Sequence, residues 1–544
     1  MRLEHFFESF EVIAEAPGGV AQLKAMVLRL AVQGRLHNHP RDNTNGSRTE
    51  TLGNLVSFQN GYAFKSNWYD EEGVRVVRNQ NVSHGFLDWV DEKRVASRYA
   101  DEFSRFALQQ GDIVLSLDRP IISTGLKVAR IRSNDLPCLL LQRVARLQIK
   151  DSSILTPGFL FLWLCSPDFT AAIDPGRSKG VPHISTGQVE RMSIKIPALS
   201  EQRRIVAKVD ELMALCDELE ARKEQRRAVC VKANTASLDA LANTQDPEEF
   251  ERCWKRVVEN WDFIAHAAGD SATLRRLVVD LAVTGRLSVW EPVPGKVDDV
   301  FRCIEKERQT TARTPREFVP LSSLLGEPEG ERTIPSHWSW AYFGDVHLGI
   351  TSGWSPQCED RQREGDEWGV LKVSAVSWNR FLPEQNKALP ANLEPRPQHE
   401  VRVGDFLMSR ANTADLVGKS IVVHDTPPHL MLSDKLLRVT LPRSYLPKFA
   451  NLVNNSSLGR GHYETEASGT SASMKNISRE QINRLVVPIA PLEEQRRIVT
   501  KVDHLMALCN ELERAITKKG ATSERYASAA VLAMMNEEGR RDRT

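Results

Sequence analysis

No stretch of this 544-residue chain stays apolar for the roughly 20 residues that a bilayer-spanning helix needs, which sets aside a helical membrane protein. The opening MRLEHFFESFEV places Glu4 and Glu8 where a leader would carry its apolar core, so it does not read as a signal peptide. Cysteine is sparse and never paired as CxxC; the eight residues offer no zinc or disulfide framework and point to a reducing cytoplasm. A surplus of charge is missing too. With 72 Lys and Arg against 71 Asp and Glu, the net charge of +1 neither demands nor forbids a nucleic-acid partner. Local charge says more. From Arg119 to Lys150 seven basic residues face one acid, Asp135, which suits phosphates and equally suits a solvated strand face.

Catalytic signatures are also lacking. No [ND]PP[YFW] tetrapeptide of an amino-methyltransferase occurs; the nearest segment, Asp425-Thr426-Pro427-Pro428-His429, lacks the flanking polar and aromatic residues. Gly418-Lys419-Ser420 ends like a phosphate-binding loop, but Thr413 stands where the first glycine is required. Pro167-Asp168 has no downstream acid and ExK to complete a nuclease site, and the thirteen histidines never reach metal-ligand spacing.

What is present is repetition. Leu199 to Leu219 reads LSEQRRIVAKVDELMALCDEL, and Leu492 to Leu512 reads LEEQRRIVTKVDHLMALCNEL, differing at four of twenty-one positions. Leu23 to Leu36 (LKAMVLRLAVQGRL) is echoed by Leu274 to Leu287 (LRRLVVDLAVTGRL). The chain is therefore two cassettes, each a short helix, a variable body and a long closing helix. In the closing helices Ile205, Val209, Leu212, Cys216 and Leu219 repeat at spacings of 4 and 3, as do Ile498, Val502, Leu505, Cys509 and Leu512. Those residues predict a packing stripe, Cys216 and Cys509 included. The charged continuation predicts that the first helix runs to about Asn234. A helix of roughly 30 residues is about 45 Å long, near one turn of duplex DNA or slightly more.

The two bodies are rich in short β-type runs separated by Gly, Asn, Asp and Pro, and each ends in a helical stretch. The expected organisation is a helical segment at 1–48, a first body at 49–197, a central helical region at 198–333, a second body at 334–490 and a closing helix at 491–544. The class is α/β (α+β): two α/β domains separated by two long antiparallel helices, as a pseudo-twofold internal repeat. The cassettes are unequal by 42 positions, mostly in Val289 to Arg332, which reads as a linker or surface loop.

With these motifs on the page, the chain resembles the specificity subunits of type I restriction–modification systems. The resemblance rests on Leu199 to Ile205 and its copy Leu492 to Ile498, and on the turns Gly111 to Ser116 and Gly404 to Ser409. Ile334-Pro335-Ser336-His337-Trp338 carries it too, with His183-Ile184-Ser185 and Asn476-Ile477-Ser478 ahead of the closing helices. It implies that the bodies are target-recognition domains, each reading one half of a split asymmetric site in double-stranded DNA. The helices would set the unspecified spacer and dock two modification (methyltransferase) subunits, and restriction (motor-nuclease) subunits would join them. This chain would carry no chemistry and no cofactor or metal. S-adenosylmethionine, ATP and Mg would belong to partners whose complex is an adenine-specific methyltransferase and ATP-dependent endonuclease.

Contact with DNA calls for Arg and Lys toward phosphates and guanine, and for Asn and Gln toward adenine. Loops rich in such residues are Gly61 to Asn67, Arg78 to Asn81, Asp118 to Ser123 and Arg177 to Ser185, then Thr351 to Gln357, Ser409 to Thr413 and Ser468 to Asn476. They nominate Lys65, Arg78, Asn81, Arg119, Arg177, Lys179, His183, Arg410, Asn412, Lys475 and Asn476. Arg119 and Arg410, just after the matched Gly-Asp turns, are favoured. Three other readings stay open: an enzyme using the same recognition domains, a protein-binding adaptor, and a specificity subunit of another DNA-modifying defence system.

Overall fold

The computed structural model describes residues 13–36, 47–122, 125–173, 183–265, 268–287, 296–311, 319–330, 332–377, 380–471 and 474–536. Among them no helix is long and apolar enough to cross a membrane, and no group of His, Cys, Asp and Glu could hold a metal ion. The chain forms two compact units, Met1–Arg227 with Lys519–Thr544, and Ala228–Lys518.

In the first unit helix α1 (Gly19–Val32) ends where Gly34, at φ 71°, lets Arg35 N–H reach back to Leu30 O, the left-handed stop that favours glycine. The body is closed at its base by Arg48–Thr51 paired antiparallel with Ser193–Ile196. Its main sheet contains β1 (Val56–Asn60), β2 (Ile113–Ser116), β3 (Val128–Arg130) and β4 (Val144–Ile149) in the order β1-β4-β2-β3, all antiparallel, with His84–Gly85 added in parallel beyond β3. Helix α2 (Pro157–Cys165) starts with proline at its first turn and a Thr156 cap, then buries Phe159 and Leu160. The 44-residue helix α3 (Leu199–Ala242) closes the cassette.

The second unit repeats the plan. Helix α4 (Ala268–Val283) ends at Gly285, φ 75°, with Arg286 N–H on Leu281 O. Helix α5 (Val297–Thr311) follows. Ser339–Tyr342 pairs with Val486–Ile489 at the base of the body. The sheet is β5 (Gly349–Ser352), β6 (Phe406–Ser409), β7 (Ser420–Val422) and β8 (Leu436–Thr440), in the order β5-β8-β6-β7 and again antiparallel throughout. Helix α6 (Pro447–Asn455) and the 45-residue α7 (Leu492–Asn536) complete it. Two bodies with little sequence in common thus share one strand order.

Identical devices hold each body to its long helix. Gln202, fully buried in the first turn of α3, accepts from Thr156 N–H at 2.8 Å and donates to Ile154 O at 2.8 Å and Pro197 O at 2.9 Å. Gln495, buried likewise in α7, accepts from Leu446 N–H at 2.8 Å and donates to Ser444 O at 3.0 Å and Ala490 O at 2.8 Å. Each amide thus satisfies backbone groups of a helix start and a strand end that water cannot reach. The short helices are pinned by Lys24 on Asp217 and Glu220, and by Arg275 on Asn510 and Glu513.

The apolar stripes pack as expected and serve a different end. Ile205, Val209, Leu212 and Cys216 are buried with Leu23, Val27, Phe159 and Leu160, and Leu219 packs at the edge. Ile498, Val502, Leu505 and Cys509 are buried with Leu274, Val278, Phe449 and Val453, Leu512 again at the edge. The stripe residues therefore anchor each cassette's own short helix and body, leaving none of the four deeply buried positions for a partner subunit. Burial pushes the Cys216 and Cys509 thiols up to about 11, in keeping with packing residues rather than reactive ones.

Two expectations are corrected. The first long helix runs on to Ala242, about 66 Å at 1.5 Å per residue, because its charged stretch is a good helix former despite being solvated. The stretch Val289 to Arg332 is not simply a linker. It contains α5, which buries Val300 and Ile304 and passes Arg308 Nη2 to Gly344 O and His347 O at 2.7 Å each. Sparse apolar residues at helical spacing were outweighed in the sequence by the charges around them.

Gln202→Ala should destabilise the first unit, and Gln495→Ala the second, by about 3 kcal/mol, because each leaves buried backbone groups without partners. Leu212→Asn or Leu505→Asn should likewise lower the stability of its own unit. Denaturant unfolding followed by unit-specific probes checks this; an unchanged midpoint would refute the clamp.

Candidate nucleic-acid interface

At the top of the first body three of the loops nominated from sequence meet on one carboxylate. Strand β2 ends at Ser116, whose hydroxyl donates to Asp118 O at 2.8 Å and turns the chain sharply. Asp118 is buried. Its Oδ1 lies 3.0 Å from His183 Nδ1, and its Oδ2 accepts from Asn79 Nδ2 and Arg143 Nη1 at 3.2 Å each. Asn79 belongs to the 78–81 turn, Arg143 to the turn entering β4, and His183 to the segment before the closing helix. Backbone bonds reinforce the meeting: Ile184 N–H donates to Leu117 O, Leu117 N–H to Arg143 O, and Gln142 N–H to Tyr62 O, each at 2.8–2.9 Å. The last brings the Gly61 to Asn67 loop to the same end of the sheet.

Two of the three non-glycine residues with positive φ among the described residues sit here, Arg119 at 44° and Arg143 at 68°. An L-residue in that region costs about 1–2 kcal/mol, and such strain collects at functional turns. Arg119 is exposed beside Asp118.

The nominated residues divide. His183 and Arg119 lie at the convergence, and Lys65 is exposed with its ammonium 5.2 Å from the Trp68 ring. Asn81 is corrected. It is 1% exposed, its amide donates to Asp88 O and Asp91 O at 2.9 Å each, and its oxygen accepts from Arg78 N–H at 3.2 Å. No donor remains for a base. Arg78 is committed to the same turn, through Asn81 Oδ1 at 3.2 Å and an ion pair with Asp91 at 3.1 Å. Both residues shape the turn that delivers Asn79. Arg177 and Lys179 lie outside the described residues.

In the second body Asn412 on an edge strand and Lys475 and Asn476 on the central strand come together in one small three-stranded sheet, with Arg410 just before the edge strand. Ala411 stands opposite Asn476 and Asn412 opposite Lys475, and Ser468–Ser471 pairs on the far side. Arg410 and Asn476 are exposed. Lys475 Nζ donates to Gly469 O at 2.7 Å, and Asn412 Oδ1 accepts from Thr413 N–H at 2.9 Å. The Thr351 to Gln357 loop joins through Trp354 N–H on Leu432 O and through Arg479 reaching Ser352 Oγ at 3.4 Å. The Arg396 guanidinium stacks 4.1 Å above Trp354.

The two sites share a backbone and not a chemistry. Ile184 N–H to Leu117 O is matched by Ile477 N–H to Arg410 O, and Leu117 N–H to Arg143 O by Arg410 N–H to Lys435 O. By that register Arg410 corresponds to Leu117, and Arg119 to Asn412; the two favoured arginines are not equivalents. The His-Ile-Ser and Asn-Ile-Ser signatures become legible. Ile184 and Ile477 are buried, Ser185 and Ser478 cap short helices through Gln188 and Gln481 N–H at 3.1 Å, and His183 and Asn476 face the loops. Beneath them the Gly-Asp turns are held by matched ion pairs, Arg146–Asp112 at 3.0 Å and Arg438–Asp405 at 2.9 Å. Lys419 of the Gly-Lys-Ser triplet is buried at a strand turn where Gly418 packs on the Tyr463 ring. Burial, with Arg460 nearby, pushes its amine down to about 7, and no phosphate cradle is formed.

Residues 46–226 match the family described as type I restriction modification DNA specificity domain. The chain is 48% identical over 168 residues to the type I restriction enzyme EcoAI specificity subunit of Escherichia coli, covering 31% of this chain and 28% of that one. It is 28% identical over 363 residues to the EcoEI specificity subunit of Escherichia coli, covering 66% and 61%. The matches therefore span less than two thirds of either relative. Among solved structures, the HsdS subunit from Thermoanaerobacter tengcongensis aligns over 91% of this chain and 97% of that one, at TM-score 0.42 and 18% identity.

Arg119→Gly should raise the melting temperature by relieving about 1 kcal/mol of backbone strain, while weakening binding of duplex DNA. A parallel loss of stability and binding would show that Arg119 is held by contacts within the fold instead.

Proposed function

We propose that this chain, whose residues 46–226 match the type I restriction modification DNA specificity domain family, is a non-catalytic DNA-recognition subunit of a type I restriction–modification complex. Each body reads one half of a bipartite asymmetric site from the loop cluster at its sheet end. The observation that carries this reading is the shared scaffold, with one strand order and one set of glutamine, ion-pair and cap devices beneath two loop clusters of different composition. A scaffold kept twice beneath reading loops of different composition is what two independent specificities require. The Arg, Lys, Asn and His side chains gathered there are donors and acceptors suited to phosphates and base edges.

The long helices set the distance between the half-sites and dock two methyltransferase subunits, which restriction subunits then join. Methyl donor, ATP and Mg belong to those partners, whose complex methylates adenine and cuts DNA in the cytoplasm. Among the described residues, nothing in the loop clusters places a nucleophile, base and oxyanion donor together. The donors and acceptors point to recognition rather than chemistry.

Replacing residues 48–196 by the corresponding body of another specificity subunit, and sequencing methylated sites in a host carrying the partner genes, should change one half-site and leave the other and the spacer intact. Change in both halves would exclude independent readers, and binding indifferent to duplex sequence would favour an adaptor. Arg410→Ala with Lys475→Ala should reduce the slope of log affinity against log salt by about 2 if both meet phosphates; an unchanged slope would remove them from the interface.

A further inference from the structure

We propose that Asp118 is the positioning residue of the first body's reading site, holding His183 and Arg143 as the side chains that discriminate bases, and that the second body reads without a carboxylate at the matching position. The inference rests on the recognition reading above and names the residues that would carry it out.

Asp118 itself is poorly placed to touch DNA. Its side chain is 12% exposed, and both oxygens are taken up by partners from three separate loops, Asn79, Arg143 and His183. Those partners are the opposite case. The His183 and Arg143 side chains are 65% and 63% exposed, each tethered at one nitrogen and open at the rest. A bare carboxylate at a DNA surface would repel phosphates; this one is compensated by a guanidinium and satisfied by three donors. Its effect is to fix two mobile side chains in one orientation, so that less freedom is lost on binding.

The chemistry left open is specific. With Nδ1 turned to the carboxylate, His183 presents Nε2, which in the neutral ring accepts a hydrogen bond and suits the exocyclic amino group of adenine or cytosine. Arg143 retains donors for guanine O6 and N7.

The second body supplies the internal control. At the register position of Asp118 opposite His183 it has Ala411 opposite Asn476, and the neighbouring backbone bond is kept, at 2.9 Å in the first body and 3.0 Å in the second. The scaffold therefore closes without the carboxylate. Asp118 is a feature of one reader and not of the fold.

The test is selection of bound duplexes from a library randomised across both half-sites, using the full chain in complex with its methyltransferase partners. Asp118→Ala should lower base discrimination roughly 5- to 100-fold at one or two positions of a single half-site. The other half-site should be unchanged. Asp118→Asn, which keeps an acceptor for one partner, should restore discrimination in part. His183→Gln and Arg143→Gln, at exposed side chains, should each alter one position, and they decide the matter if Asp118→Ala fails to fold. Unchanged profiles in those variants, or loss in both half-sites together, would overturn the inference. Should the unmodified chain select no sequence at all, the recognition reading itself would fall.

Discussion

A buried glutamine in the first turn of each long helix is the contact on which the rest depends. Gln202 and Gln495 each use one amide to tie the start of a body helix, the end of a body strand and the long helix together, in a place where no water can substitute. An amide side chain suits this because it donates and accepts at once, in a plane, without a charge to desolvate. The body is then held at a set angle, and the loops at its far end inherit that angle. The same Glu-Gln-Arg-Arg-Ile sequence opens both helices, so the same tie is made twice.

Above that tie the structure separates what is shared from what is free. Strand order, base strands, Gly-Asp turns, arginine–aspartate pairs and serine caps recur in both bodies. The loops do not. One cluster is built on a carboxylate with histidine, arginine and asparagine around it; the other is a small three-stranded ladder carrying Asn412, Lys475 and Asn476, with Arg410 just before its first strand. Keeping the strand order and its ties while the loops at one end change is how a fold changes what it reads without changing how it stands.

Much of this was legible in the sequence. The repeats and the burial of Ile205, Val209, Leu212 and Cys216 with their partners follow from periodicity; turn composition nominated the loops that hold Asn79, Asp118 and His183, and the structure adds that these three residues meet. Other parts were not. Asn81 looked like a base reader because asparagine in a turn can face either way, and only its buried backbone acceptors decide that it faces inward. Asp118 and Arg143 lay in a nominated loop and in the basic stretch but were not chosen as site residues, because an acid is not expected at a DNA surface and because neither is near His183 in sequence. Arg119 and Arg410 looked equivalent until the β2–β4 and β6–β8 registers placed them two positions apart. Helix α5 was hidden by charge.

The central claim is that two different loop clusters on one repeated scaffold grip two different stretches of one duplex. Photo-crosslinking from residue 119 and, separately, from residue 412 of the full chain bound to its selected duplex tests it most directly. Both positions lie in the loop clusters, one residue beyond the matched pair Asp118 and Ala411. The account predicts adducts at two distinct, non-overlapping base positions, one in each half-site. Adducts from both residues at the same bases, or to protein alone, would contradict it.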